Sequence, residues 1–183
     1  MTRDARPPST PTESAAAGWV RASLGRRFGA LLYESLLLAA LMLIAGFLLT
    51  PLVSPTAAGT RQLQVPGLTG RVLEFCALFA VGALYSVWSW SGGRRTLAMK
   101  TWRLRLVCAD GSSPDRRTAL LRYVAAWLGP LFAVLAYAAL RPAGLGAHAL
   151  WLVGFNFLWA FVDRERRFLH DRIAGTWIVL DRP

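Results

Sequence analysis

Two residues of opposite charge, Arg27 and Glu34, stand seven apart at the head of a long apolar run. Seven residues are almost two helical turns, so both side chains fall on one stripe of a helix. The run, Phe28 to Thr50 (FGALLYESLLLAALMLIAGFLLT), is otherwise uninterrupted. It is long enough to cross a hydrocarbon core, which takes roughly 20 apolar residues. A carboxylate inside such a span costs on the order of 2.5–3.5 kcal/mol, so it needs a solvating partner or a functional reason. The chemistry suggested is ion or proton handling within a membrane, with Glu34 as the titrating group.

Other polar residues reach the same depth. Glu34 lies six residues past Phe28, roughly 9 Å into a core about 30 Å thick. Asn156 lies six residues from Val162, counted the other way along a later apolar run, and Arg122 enters another run from the same side about one turn less deep. Arg27, Glu34, Arg122 and Asn156 are therefore expected to converge on one level of a bundle. Two readings stand. They form interhelical glue, at about 0.6–2 kcal/mol per hydrogen bond, or they form an ion or proton site. Asp171, next to His170 in the C-terminal tail, either caps and pairs with Arg166 or Arg167, or reaches Arg27. In the second case a direct or near-direct ion pair docks the tail beneath the first helix. Glu74 falls about one turn from the outer end of its run, where reaching interfacial water is the ordinary role.

The elements that must position these groups are legible in the hydropathy. Of 183 residues, 55% are hydrophobic, with mean hydropathy +0.39. They cluster in four blocks near the length of a membrane span: 28–50, 72–90, 119–140 and 143–162. We expect one all-α membrane domain over 19–183, a four-transmembrane-helix bundle, after a disordered leader at 1–18 rich in Pro, Ser, Thr and Ala. GRRF at Gly25–Phe28 has the look of a twin-arginine signal, but the run behind it is too long and three more spans follow.

The net charge of +11 is unevenly placed. Of 21 Lys and Arg residues, only Arg61, Arg71 and Arg141 fall in the loops after the first and third blocks. This asymmetry is the positive-inside pattern, and it puts both termini and the central loop in the cytoplasm. It also accounts for the charge without nucleic acid, and a basic cytoplasmic face suits anionic lipid. Cys76 and Cys108 belong to different levels of the fold, and there is no CxxC. His148 and His170 fall near opposite membrane faces and cannot share a metal. No cofactor or metal is expected, and with no nucleophile–base pair or phosphate loop, no enzyme.

Between the second and third blocks, Ser91–Gly93 ends a span and TLAMK predicts a short interfacial helix. TWRLRLV alternates like a half-buried strand, with Trp102, Leu104 and Leu106 on one face and Arg103 and Arg105 on the other. Asp110–Gly111 marks a turn. A second β-type run, Thr176–Leu180 (TWIVL), closes the chain, and two lone strands on one membrane face are expected to pair as a small cytoplasmic β element. Trp88, Trp90, Trp127, Trp151 and Trp159 are expected to anchor at the headgroup level. The loop Pro51–Arg71, with three prolines and three glycines, reads as irregular and external.

Three stretches together resemble the RDD family of multi-pass bacterial membrane proteins. They are RRFGALLYE at 26–34, GGRRTLAMKTWRLRLVCADG at 92–111, and RRFLHDRIAGTWIV at 166–179. The second is similar to a pattern GxTLGKxxxGLRVVxxDG, and the third to an LHDxxAGTxVV ending. The family's arginine and two aspartates fall on Arg27, Glu34 and Asp171, with glutamate replacing the first aspartate; Ala98 stands where a glycine is usual. The resemblance implies a location in the bacterial cell membrane and a role in transport.

Two functions are thus expected to compete. One is a small transporter of a cation or proton-coupled solute, assembled as a homo-oligomer because four helices make a narrow scaffold. The other is a membrane scaffold that binds a partner or anionic lipid through its basic cytoplasmic face.

Overall fold

The computed structural model describes residues 19–53 and 66–181. The expected leader at 1–18 and most of the Pro51–Arg71 loop lie outside the described residues. Among the described residues three helices are long and apolar enough to cross a membrane: Leu24–Leu52, Leu68–Trp90 and Arg116–Ala143. Helix α1 runs Leu24–Val53 and α2 runs Leu68–Trp90. Both begin about a turn before the apolar block does, because a helix continues beyond the hydrocarbon until its backbone is capped.

Helix α2 stops where Ser91, Gly92 and Gly93 turn the chain, the glycines at φ 61° and 74°, a left-handed conformation that glycine tolerates. The short helix α3, Leu97–Thr101, follows, capped by Thr96, whose hydroxyl accepts from the Met99 amide at 3.1 Å. Strand β1 spans Leu104–Cys108. The third long helix is two pieces, α4 (Arg116–Ala126) and α5 (Leu128–Leu140), with a break at Trp127. Asp115 caps α4 by accepting from the Thr118 amide at 2.8 Å. That bond holds its carboxyl below the usual carboxylate range.

The expected fourth span, 143–162 as one long α-helix, is not what forms. Gly144, at φ 75°, ends the preceding helical run. The chain then returns as a shorter apolar stretch, Gly146–Phe161. It is 3-10 helix over Gly146–Gly154, α-helix α6 over Phe155–Leu158, and 3-10 again over Trp159–Phe161. It packs tightly on α5: a Cβ on Gly129 would meet the Val153 carbonyl oxygen at 2.5 Å. Hydropathy marks such a stretch as apolar but does not set its turn type.

The tail forms helix α7, Leu169–Ile173, and strand β2, Thr176–Leu180. The two strands pair antiparallel, with Leu104 opposite Leu180 and Cys108 opposite Thr176. The segment before α1 joins the other edge of β2, through Ala22 N–H to Ile178 O (3.3 Å) and Leu180 N–H to Val20 O (2.8 Å). Trp102 is not part of β1. It closes α3, and its ring covers Gly29 of α1, where a Cβ would sit 2.5 Å from it.

The densest packing lies at the sheet end of the bundle. Leu104, Leu106 and Ile178 from the strands meet Met99, Phe168, Ala119, Tyr123 and Trp90 there. Away from the sheet the helices turn their apolar side chains outward: Leu43, Ile44, Phe47, Leu48 and Leu52 of α1 are 61–81% exposed. A contiguous face of that kind suits lipid rather than water.

Candidate functional site

Arg122, in the last half of α4, is the hub of the buried polar groups. Its Nε donates to Asp171 Oδ1 at 2.7 Å, with side chains 5% and 1% exposed. Its guanidinium also lies over the Trp90 ring, 4.1 Å from the centroid. Trp90 is therefore buried as a cation–π platform and not a headgroup anchor.

A second Arg122 nitrogen, Nη2, lies 3.3 Å from His170 Nε2. A guanidinium only donates, so Nε2 must accept, which places the neutral imidazole's proton on Nδ1. Burial pushes the His170 imidazolium pKa down to about 4, Arg122 adding to burial and Asp171 opposing it. The ring is neutral at physiological pH.

Asp171 is held by three elements. Burial alone would raise its pKa, but Arg122 chiefly, with His170 and Arg27, keeps the carboxyl below the usual range. The Thr176 hydroxyl adds contacts to its Oδ1 (3.3 Å) and its carbonyl (3.4 Å). Gly175, at φ 65°, makes the turn that returns β2 over α7. The LHD and AGT pieces of the ending thus act as one unit: a ring and an acid for Arg122, a left-handed turn, and a hydroxyl that fixes the acid.

Arg27 is buried, as Asp171 is, but its direct partners are backbone carbonyls. Nη1 donates to Arg166 O at 2.7 Å and Nη2 to Ile178 O at 3.3 Å. Both acceptors belong to the tail, so the tail is docked against the base of α1, as expected. The direct form of the expected Arg27–Asp171 pair does not form: Arg122 takes the carboxylate, and Arg27 acts on it only through space. Asp171 also does not pair with Arg166 or Arg167. The reason is approach, since α7 packs on α4 and delivers Asp171 to that helix.

Above this layer lies a cavity of about 500 Å³ between α1, α2 and the third helix. Arg27, Ala30, Leu31, Glu34, Leu38 and Met42 line it from α1, the i, i+3, i+4, i+7 stripe that the Arg27–Glu34 spacing predicts. Glu34 Oε1 is buried without a hydrogen-bond partner, and the Tyr85 hydroxyl is its polar neighbour. Among the described residues no cation lies within ion-pair distance of Glu34. Opposite stands an aromatic wall. Phe79 is 5.1 Å from Tyr123 and 5.2 Å from Trp127, and Phe75 is 5.6 Å from Trp127, between ring centroids. Arg122 and His170 close the floor.

Asn156 is fully buried but does not join the cavity wall. Its amide donates to the carbonyls of Ala125 (3.2 Å) and Ala126 (2.6 Å). The Ala126 carbonyl would accept from residue 130 in an unbroken helix, and Pro130 has no N–H to give. Asn156 supplies the missing donor from the neighbouring helical stretch.

Three of the four residues expected at one level, Arg27, Glu34 and Arg122, line one cavity. Asn156 serves the break between α4 and α5 instead, and Asp171 lies behind Arg122. The sequence pattern pointed to His170 only as part of a motif and to Trp90 only as an anchor. Tyr85 and the aromatic wall carried no signal of their own.

A model of the RDD family matches residues 21–175, most of the chain. No curated protein and no solved structure matches it. The chain belongs to the RDD family.

Proposed function

We propose that this RDD family membrane protein is a small transporter of a cation or other solute, proton-coupled through the Glu34 carboxylate. The observation that carries this reading is the unpartnered, buried Glu34 oxygen on the wall of a cavity of about 500 Å³. An acid in that position exchanges a proton for another cation at one site, and the layer of Arg27, Arg122, His170 and Asp171 closes the path at the sheet end. The reading involves no covalent chemistry and no enzyme activity.

In the proposed topology the sheet side faces the cytoplasm, with both termini, as the positive-inside asymmetry supports. The Gly146–Phe161 stretch is the fourth span. At about 2.0 Å per residue in 3-10 turns and 1.5 Å in α6, it reaches about 30 Å, the thickness of the hydrocarbon core. Reporter fusions near Ala58 and Ala147 are expected outside, and fusions near Gly111 and Pro183 inside. A Gly111 fusion that reads outside overturns this topology.

Transport is tested with purified protein in liposomes, assayed against a panel of ion gradients. Flux that Glu34→Gln abolishes is the expected result, and no flux for any gradient overturns the reading. A second reading rests on a different observation. Lys100, Arg103, Arg105, Arg116 and Arg117 are all exposed at the sheet end. A surface of that charge binds anionic lipid at roughly 1 kcal/mol per basic residue. Loss of a co-purified partner or anionic lipid on substituting Arg103 and Arg105, without any flux, favours a scaffold.

A further inference from the structure

We propose that the cavity beside Glu34 takes a lipophilic organic cation: a quaternary ammonium or phosphonium centre carrying apolar substituents. This names a substrate class for the site just described and rests on the same acid, but it stands on binding and not on flux.

The chemistry of the two walls selects that class. On α1 the wall offers the Glu34 carboxylate, whose Oε1 is buried without a hydrogen-bond partner, near the Tyr85 hydroxyl of α2 and among Leu31, Leu38 and Met42. Across the cavity, Phe75, Phe79, Tyr123 and Trp127 pack edge-to-face or tilted against one another. Aromatic side chains bordering a cavity are surfaces that a desolvated organic cation can stack on. A small hydrated metal ion would leave most of this apolar surface unsatisfied and would find a single carboxylate in place of an oxygen cage. An anion at the level of Glu34 would meet its carboxylate, with the cavity's arginines, Arg27 and Arg122, a level below at the floor. A bulky cation satisfies the carboxylate, the rings and the aliphatic side chains together. The volume, about 500 Å³, lies within the usual range for drug-sized ligands of roughly 300–1,000 Å³.

The arginines on the cavity floor do not defeat this. Arg122 is neutralised by Asp171 at 2.7 Å. Arg27 gives Nη1 and Nη2 to two carbonyl oxygens, keeps a buried Nε without an acceptor, and starts about 10 Å below Glu34 along the helix axis. Arg27, which has only backbone carbonyls as direct partners, keeps a cation at the level of Glu34 and away from the floor.

The test is equilibrium dialysis of tetraphenylphosphonium against the purified full chain in detergent, beside uncharged triphenylmethanol. Saturable phosphonium binding, with much weaker binding of the neutral compound, is expected. Glu34→Gln should weaken the phosphonium by at least about tenfold, the scale of one lost charge contact, while Glu34→Asp retains it. Phe79→Ala should weaken it less. Equal affinity for the neutral compound, measured on the unmodified protein and so independent of any variant's folding, overturns the proposal. So does binding that survives Glu34→Gln. Glu34-dependent flux of inorganic cations with no phosphonium binding overturns this inference and leaves transport standing. Phosphonium binding with no flux of any kind supports it and removes the transport reading.

Discussion

Arg122 and Asp171, 49 residues apart in sequence, meet at 2.7 Å in the best-buried ion pair among the described residues. The pair ties the third long helix to the C-terminal tail, beneath the cavity that holds Glu34. A buried pair of this kind is weak evidence of net stability, because desolvation offsets attraction, but breaking it is costly.

Arg122→Ala and Asp171→Ala should therefore each destabilise by about 3–5 kcal/mol, since each strands a buried charge. The double variant should cost well under the sum. Thermal unfolding in detergent closes this cycle. Strict additivity would mean that the two side chains act independently, contrary to their geometry.

His170 sets an acid limit. Its folded pKa is about 4 against an ordinary 6.5, so the unfolded chain binds a proton more readily than the folded one. Its stabilising contribution is complete above pH 6.5 and is lost as the pH falls through the window toward 4. The full loss is about 3 kcal/mol, from 1.36 kcal/mol per pKa unit. His170→Gln should flatten the stability profile in that window, with Asp171 titrating only below it. Unfolding midpoints measured from pH 7 to 4 for both proteins check this.

Asn156 and Pro130 should behave as a coupled pair. Asn156→Leu leaves the Ala126 carbonyl without its donor and removes a contact to the Ala125 carbonyl, at about 1–3 kcal/mol. Adding Pro130→Ala returns a backbone N–H to the Ala126 carbonyl and should recover part of the loss. Denaturation of the two single variants and the double variant measures the recovery. A double variant no more stable than Asn156→Leu alone would show that the amide does not stand in for the missing N–H.

Arg103 adopts φ 51°, a left-handed conformation that costs a residue with a Cβ about 1–2 kcal/mol. Its carbonyl accepts from the Asp181 amide at 2.8 Å, and its side chain is exposed. The glycine of the GLR step in the pattern resembled by residues 92–111 falls on this position. Arg103→Gly should raise stability by up to about 1 kcal/mol, strain relief being partly offset by the added freedom of the unfolded chain. A fall in the unfolding midpoint would contradict this.

What the sequence determined by itself was one-dimensional. Apolar length placed the three long helices, because transfer to hydrocarbon depends on composition within a window. Alternation placed β1, and the seven-residue step placed Arg27 and Glu34 on one stripe, because both periods are fixed by backbone geometry, while β-branched and aromatic composition placed β2. The tertiary structure decided what depends on approach. Which arginine meets Asp171 follows from α7 packing on α4, a contact invisible to any local window. The same holds for Trp90, indistinguishable by composition from an interfacial anchor until Arg122 lies over it. Asn156 was legible as buried and polar, but its role depends on a proline in another helix, seen only when the two backbones come together. The fourth stretch departed furthest from expectation, since hydropathy sums side-chain transfer and carries no term for whether the backbone closes α or 3-10 turns.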